Sequence, residues 1–419
     1  MKKTTFLLIT ILQAGFVYSQ TTLSLEECYA RAIEVHPVSG DNLLLESMTL
    51  LKLQNHNVFY FPQLELYAQA TYQSDVTSID VSISGVDIPK PANDQYKIAM
   101  DINQVIYDGG LTKSRKELER QQLETAVKQT EVTLHQLKEM VNSVFFSILL
   151  LQEQEKILNL MTEVLDERVS VVRSAVKNGV MMESDLLSLL AEQLKVKQQV
   201  TEMSISKETG LIVLAELLEM EFDKGMELVG PAVDIDPNSD ITRPEIGLFE
   251  SQISQFGLSS DIIRSSRRPK VYAFSQVGYG RPGLNMLSDE FDPYYLVGAR
   301  ISWNPFDWKQ SKRERELLLL KQGQVTNQLE AFTRNVNIEL ERAQSEIHKF
   351  EKLITLDETI IEMRSRIVRS SASKLDNGVI NSADYISDLN AEKQARIDKE
   401  IHHMKWLKAQ ADYAVKKGQ

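Results

Sequence analysis

The chain has 419 residues, with 47 basic and 59 acidic side chains and a formal net charge of −12. This acidic balance, without a basic stripe, argues against nucleic acid as a partner. The single cysteine, Cys28, excludes an intramolecular disulfide and a cysteine-rich metal site.

The first 20 residues have the pattern of a secretory signal peptide. Two lysines precede an apolar run from Phe6 to Ile11, and small residues lie before the polar Gln20. We expect residues 1–20 to be removed by cleavage near Ser19 or Gln20. The apolar run is too short for an anchor helix, and no later run reaches about 18 apolar residues. If the mature chain lies in a membrane, it must cross it as a β-barrel.

The rest of the chain is an internal duplication. The segment Tyr96–Leu111 returns 199 positions later as Tyr295–Gln310, whereas nearer the start of each copy the shift is 207 and takes Pro37 to Pro244. A repeat of about 200 residues is too long for a solenoid unit. The sequence therefore predicts a first structural repeat over 21–221, an inter-repeat linker over 222–240 and a second structural repeat over 241–419.

Each repeat is predicted to open with a helix and to continue with a β-hairpin, over 62–107 and 269–303, because two segments there alternate with a period of two. Apolar residues such as Leu66 and Val297 form one face, and polar residues form the other. Such strands are typical of membrane barrels, although a two-stranded sheet on a soluble core also fits. The charged residues expected in a barrel lumen are Glu65, Lys97, Asp101 and Arg300.

A long segment without proline follows each hairpin. Leucine, isoleucine and valine recur there at heptad spacing, which predicts coiled-coil helices over 110–176 and 309–375. Each helix would be on the order of 100 Å long at about 1.5 Å per residue. No ordinary globular core needs a helix of that length.

Each long helix is predicted to end at a tip turn, over 177–184 and 376–383. Gly179 and Gly378 suit these turns because glycine accepts the left-handed backbone that ends a helix. Returning helices are predicted over 185–221 and 384–417. The side chains that could accept their first N–H groups are those of Ser184, Asp185, Asn381 and Ser382.

The order of these features resembles the TolC-like outer-membrane efflux proteins. The resemblance covers almost all of the mature chain and rests on the opening Leu23–Cys28, the Tyr107–Gly110 exit into the long helix and the two Asn-Gly turns. It implies an α+β membrane protein with internal duplication. Each chain of a trimer would add four strands to a 12-stranded β-barrel and its helices to a long α-helical coiled-coil barrel.

The resemblance also implies a function. Such a protein is an outer-membrane exit duct of a multi-component efflux or type I secretion system, extending into the periplasm. Its partners would be the other copies of a homotrimer, outer-membrane lipid, a periplasmic adaptor (membrane fusion protein) and an inner-membrane pump. The tips would form the entrance and contact the adaptor through Gly179, Ser184, Asp185, Gly378, Asp384 and Asp388.

Two positions depart from this family. Its best-known members lock the entrance with an aromatic residue three before the second-tip glycine and an arginine two after it, whereas this chain has Leu375 and Ile380. We therefore do not expect that lock here, and the sequence does not identify the substrate. A periplasmic coiled-coil scaffold without a pore is the alternative hypothesis.

The sequence offers no catalytic chemistry. The segment Gly278–Gly283 fits a dinucleotide-binding motif by letter, but it precedes a predicted hairpin loop and not a helix. The histidines are scattered without the spacing of metal ligands. We expect no enzyme activity, no cofactor and no metal.

Overall fold

A computed structural model describes residues 22–77, 90–222, 226–231 and 239–419. The predicted signal peptide and parts of the first hairpin loop and of the linker lie outside these residues. None of the described helices is both long and apolar enough to cross a membrane.

The two repeats contain matching elements. In the first repeat these are β1 (Thr22–Leu23), α1 (Leu25–Val35), α2 (Asp41–Val58), β2 (Gln63–Tyr72), β3 (Asp94–Tyr107), α3 (Leu111–Lys177) and α4 (Glu183–Leu218). They are followed by β4 (Glu227–Leu228), α5 (Pro244–Ser266), β5 (Lys270–Arg281), β6 (Asp292–Ser302), α6 (Gln310–Asp376) and α7 (Ser382–Lys417). A shift of 199 carries the bounds of α3 and α4 onto those of α6 and α7 without change. The duplication is therefore structural as well as sequential.

The chain divides into two compact units. One unit runs over 37–133 and 243–335 and contains the sheet with α2, α5 and the first turns of α3 and α6. The other unit runs to His36, over Leu134–Thr242 and from Val336 to the end, and contains α1, both tip turns, α4 and α7.

Four strands form one antiparallel sheet in the order β2-β3-β5-β6. The central pair joins the two repeats, since β3 of the first pairs with β5 of the second. One face is apolar but exposed to solvent: Leu66 is 72% exposed and Val297 is 70% exposed. Apolar area left in water is unfavourable, so this face lacks its natural surroundings in a single chain.

The helices around the tips pack through their heptad positions. Leu165 and Val172 of α3 are fully buried, and they share a cluster with Leu189 of α4, Leu375 of α6 and Tyr385 of α7. Burying side chains of this size stabilises the fold by about 1.5–3 kcal/mol each. The heptad pattern thus positions the two tip turns.

The linker is attached to the N-terminal end of the chain. Strand β4 pairs in parallel with β1. On the other side of Leu228, the buried amide of Gln152 donates to the backbone carbonyl at 3.3 Å and accepts from the backbone N–H at 3.1 Å. The side chain of Gln152 thus acts like a third strand, which satisfies a peptide group that burial would otherwise leave unpaired.

A second cluster surrounds Cys28 in the same unit. Helix α1 begins with a capping box, in which Ser24 and Glu27 satisfy each other's backbone N–H groups. Cys28, on the buried side of this helix, packs with Phe145 and Leu214. Burial raises the pKa of the Cys28 thiol to about 12, so the thiol is inert at neutral pH.

Candidate functional site

The two tip turns have the same backbone geometry. Gly179 and Gly378 both have φ 69°. Their N–H groups bond to the carbonyls of Val176 and Leu375, each at 3.0 Å. Apart from its chain neighbours, neither glycine has a described atom within 4 Å of the place a Cβ would occupy. The left-handed backbone, and not a lack of space, is what glycine supplies here.

The helices after the two turns begin differently. Asn381 caps α7, since its side chain accepts from the N–H of Asp384 at 2.9 Å. Helix α4 follows Met182, whose side chain makes no capping hydrogen bond. The expectation that Ser184 or Asp185 caps its own helix is therefore wrong: Asp185 points to the other tip, where its carboxylate accepts from the N–H of Ser382 at 3.0 Å.

The other two predicted tip carboxylates lie on α7. Asp384 is exposed, and its carboxylate makes no hydrogen bond within the part of the chain that the structure describes. Asp388 is half-buried and accepts from the hydroxyl of Ser371 at 2.5 Å. Of the three predicted tip carboxylates, only Asp384 therefore combines exposure with an unengaged charge, while Ser184 is an exposed residue without a capping role.

A further interaction near the tips was missed by the sequence analysis. The guanidinium of Arg168 on α3 bonds to the Asp376 carboxylate at 2.6 Å. It also lies 5.2 Å from the ring centre of Tyr385, which is 1% exposed. Burial raises the pKa of Tyr385 and keeps the phenol neutral. This cluster links α3 of the first repeat to both long helices of the second.

Leu375, one of the two family departures, has a structural role. Its side chain is 1% exposed and packs in the cluster around Tyr385. Ile380, the other departure, is partly buried against the same cluster. Both residues belong to the packing of the tips.

The polar face of the sheet holds the four predicted lumen residues. Glu65 pairs in register with Asp101, and Asp101 pairs with Gln276. The amide of Gln276 donates to Asp101 at 2.6 Å and accepts from Lys97 at 3.3 Å. Two opposite charges thus share one neutral side chain on this face.

Aromatic rings surround this polar network. The Lys97 nitrogen lies 5.5 Å from the ring centres of both Tyr67 and Tyr294, a distance at which a cation is attracted to the ring. Arg300, on the edge strand β6, lies 5.5 Å from the ring centre of Tyr272. The four predicted charges share one face, but Arg300 takes no part in the Gln276 network. Strand alternation alone would have placed Gln276 on the polar face, but not beside Asp101.

Each strand-to-helix exit is organised by an aspartate. The buried carboxylate of Asp108 accepts from Tyr60, from the Gly110 N–H at 2.9 Å and from the Thr112 N–H at 2.6 Å. Burial alone would raise the pKa of Asp108, but these hydrogen bonds outweigh it and lower the pKa below its ordinary value. Asp307 plays the same part before α6.

Within the described ranges, no group of three or more His, Cys, Asp or Glu side chains is placed to hold a metal ion. What the arrangement offers is a charged polar face on a sheet with free edges, together with a charged pair of helical tips.

Residues 58–218 match the family model of the outer membrane efflux proteins. This segment belongs to that family. It contains the first hairpin, the first long helix and the first tip, and the second repeat duplicates them. The outer membrane efflux proteins are channels and not enzymes, which confirms the prediction of no enzyme activity.

Solved structures of outer-membrane proteins and channels share the fold. The CusC structure covers 94% of this chain and 92% of its own, with a TM-score of 0.71 and 11% sequence identity. VceC of Vibrio cholerae has a TM-score of 0.67 at 12% identity and covers 94% of this chain and 96% of its own. The open-state MtrE channel of Neisseria gonorrhoeae has a TM-score of 0.66 at 16% identity and covers 94% and 89%. A comparison with curated proteins gave no match.

Proposed function

We propose that three copies of this chain form an outer-membrane exit duct that conducts substrates passively from a periplasmic adaptor and inner-membrane pump to the exterior. The observation that carries the proposal is the four-stranded sheet. Strands β2 and β6 lie at its edges and pair with no further strand in the described residues. Unpaired edges and an exposed apolar face are costly for a lone chain and suit a barrel that several chains close in lipid.

Four strands are too few for a barrel with a lumen, since the smallest membrane barrels have about eight. Three copies would supply 12, with the apolar face towards lipid and Glu65, Lys97, Asp101 and Arg300 towards the pore. The helices would continue the conduit into the periplasm. No bond is made or broken in this function, so the pump must supply the energy.

The tips are the proposed entrance and adaptor contact. Gly179 and Gly378 shape the two turns, and Ser184 is exposed beside the first. Asp384 supplies an exposed charge in each copy, while Asp185 and Asp388 are engaged in hydrogen bonds. Three copies of Asp384 around the entrance would favour cations.

The test is membrane fractionation followed by gel electrophoresis with and without heating. We expect the protein in the outer membrane, running as a trimer until it is boiled. Release with the soluble periplasmic proteins as a monomer would refute the duct and favour the coiled-coil scaffold.

A further inference from the structure

The turn that leads into α6 holds two bulky residues in a backbone conformation that usually requires glycine. Trp308 has φ 53° and Lys309 has φ 65°. The first repeat has Gly109 and Gly110 at the equivalent positions, with φ 78° and 83°. Left-handed backbone is strained for tryptophan and lysine. Such strain, retained at one copy of a duplicated turn, indicates that the side chain itself has a role.

The two turns are otherwise built alike. Asp307 accepts from the N–H groups of Lys309 at 3.1 Å and Ser311 at 2.9 Å, as Asp108 does from its own turn. These bonds hold the strained backbone in place. Trp308 is nevertheless 87% exposed.

Its counterpart Gly109 is covered by the end of α5. A Cβ on Gly109 would lie 2.8 Å from the Cβ of Arg268 and 2.9 Å from the carbonyl oxygen of Ser265. The Arg268 guanidinium donates to the Gly109 carbonyl at 3.2 Å. One turn further, the hydroxyls of Ser114 and Ser265 are 2.9 Å apart. We call this contact between α3 and α5 the internal junction.

The duplication predicts which residues should form an equivalent junction at the start of α6. A shift of 199 carries Gly109 to Trp308 and Ser114 to Arg313. The shift of 207, taken backwards, carries Arg268 to Phe61 and Ser265 to Val58. These residues cannot meet within one chain, because Trp308 follows the edge strand β6 and Phe61 precedes the opposite edge strand β2.

The chemistry of these positions fits a contact between two copies. Phe61 is 59% exposed and Val58 is 46% exposed, so both lack a covering surface. Phe61 is at the position equivalent to Arg268 of the internal junction. Its side chain cannot donate a hydrogen bond to a carbonyl oxygen, as Arg268 does. The Trp308 carbonyl instead accepts from Arg313 of its own helix at 3.0 Å. The backbone carbonyl of Trp308 therefore needs no donor from a partner.

A second pair of positions shows the same change from polar to apolar. Within the internal junction, the amide of Gln121 donates to Ser251 at 2.9 Å. The equivalent residues are Leu320 on α6 and Leu44 on α2, which are 68% and 62% exposed. The exposed faces of α6 and α2 are thus both apolar at these equivalent positions, as interfaces between copies commonly are at their centre.

We propose that Trp308 of one copy packs against Phe61 of the next copy and forms the centre of the contact between copies. The proposal rests on the proposed trimer and names the surface that closes it. Because the internal junction leaves no room for a side chain at Gly109, the junction built around Trp308 must be wider. A ring of three copies would then alternate three narrow polar junctions with three wider apolar ones.

Cysteine cross-linking of the full chain in outer membranes tests this arrangement. After treatment with a short bis-maleimide, which can span the wider junction, the pair Arg313→Cys and Val58→Cys should give cross-linked dimers and trimers on a denaturing gel. The matched pair Ser114→Cys and Ser265→Cys, at the internal junction, should leave only monomers. The native Cys28 is fully buried and should not react.

One result would overturn the proposal. The variant with Arg313→Cys and Val58→Cys would run as a trimer before heating but would form no cross-linked dimer or trimer. The absence of any trimer before heating would instead refute the proposed function itself. The two failures are therefore distinguishable on the same gel.

Two further variants separate the side chain from the backbone strain. Trp308→Gly removes both, and we expect the trimer to dissociate at a lower temperature. Lys309→Gly relieves strain without removing the indole, and the dissociation temperature should stay the same or rise. If Trp308 faces lipid, Trp308→Gly will leave that temperature unchanged and will reduce quenching of tryptophan fluorescence by brominated phospholipid, which would contradict the contact with Phe61.

Discussion

The carboxylate of Asp185 accepts a hydrogen bond from the backbone N–H of Ser382 at 3.0 Å and so joins the first tip to the second. The relationship is not reciprocal. Asp384, the duplicate of Asp185, is exposed, and the first tip has no equivalent bond. The two tips are alike in backbone and unlike in how they are held.

We predict that Asp185→Ala loosens the entrance. The substitution leaves the Ser382 N–H without its acceptor, at a cost of about 1–3 kcal/mol if water cannot replace it. In planar bilayers the reconstituted channel should open more often than the wild type. Asp185→Asn, which retains an acceptor oxygen, is the matched control and should lie closer to the wild type. Equal open probability in all three proteins would contradict the prediction.

Asp384→Ala should change selectivity and not closure. Its carboxylate is exposed and bonds to no side chain or backbone group among the described residues, so its removal takes three negative charges from the proposed entrance of a trimer. We expect a smaller preference for cations in reversal-potential measurements. Unchanged cation selectivity would exclude Asp384 from the entrance.

Arg168→Ala should destabilise the packing of the tips by about 1–2 kcal/mol, from the loss of the ion pair with Asp376 and the contact with the Tyr385 ring. Urea unfolding monitored by circular dichroism would measure it. Arg366 provides the control: its pair with Glu362 is a surface pair, with side chains 74% and 63% exposed. Arg366→Ala should cost less than about 0.5 kcal/mol.

The helices illustrate what sequence alone could predict. The first long helix was expected over 110–176 and runs over Leu111–Lys177, and its duplicate was expected over 309–375 and runs over Gln310–Asp376. Heptad spacing, the absence of proline and an Asn-Gly stop are all local signals. These signals predict the bounds of each long helix because a helix is formed mainly by contacts between residues close in sequence.

Contacts between repeats were not accessible in the same way. Asp185 and Ser382 are 197 positions apart, and Arg168 and Asp376 are 208 apart. Their pairing depends on how two helical hairpins pack, which no local pattern encodes. The local pattern accordingly suggested Asp185 as one possible cap of its own helix and gave no indication of Arg168. That the four charged residues share one face of the sheet could be predicted, because strict alternation determines which face a strand residue occupies.

The buried carboxylate of Asp108 should make stability depend on acid. Its pKa is lower in the folded chain than in an unfolded one, so its stabilising effect is present above the ordinary carboxyl pKa and is lost as pH falls through the folded value. Asp108→Asn should therefore be less stable at pH 7 by about 1–3 kcal/mol, since the amide weakens its hydrogen bonds.

Unfolding curves at several pH values would measure this difference. The difference between Asp108→Asn and the wild type should shrink below about pH 4. Asp261→Asn is the control, because Asp261 is 46% exposed and pairs with Arg264 on its own helix. A pH-independent difference for Asp108→Asn would show that the lost stability does not come from the charge.

Lys97 and Asp101 should have opposite effects on the ion selectivity of the pore. Both contact Gln276 on the polar face of the sheet, and three copies of each would lie at nearly the same depth. We expect Lys97→Gln to shift the reversal potential towards cation selectivity and Asp101→Asn to shift it towards anions. The double variant should return close to the wild type, since it removes equal and opposite charges. If neither single substitution moves the reversal potential, the face does not line the conducting path.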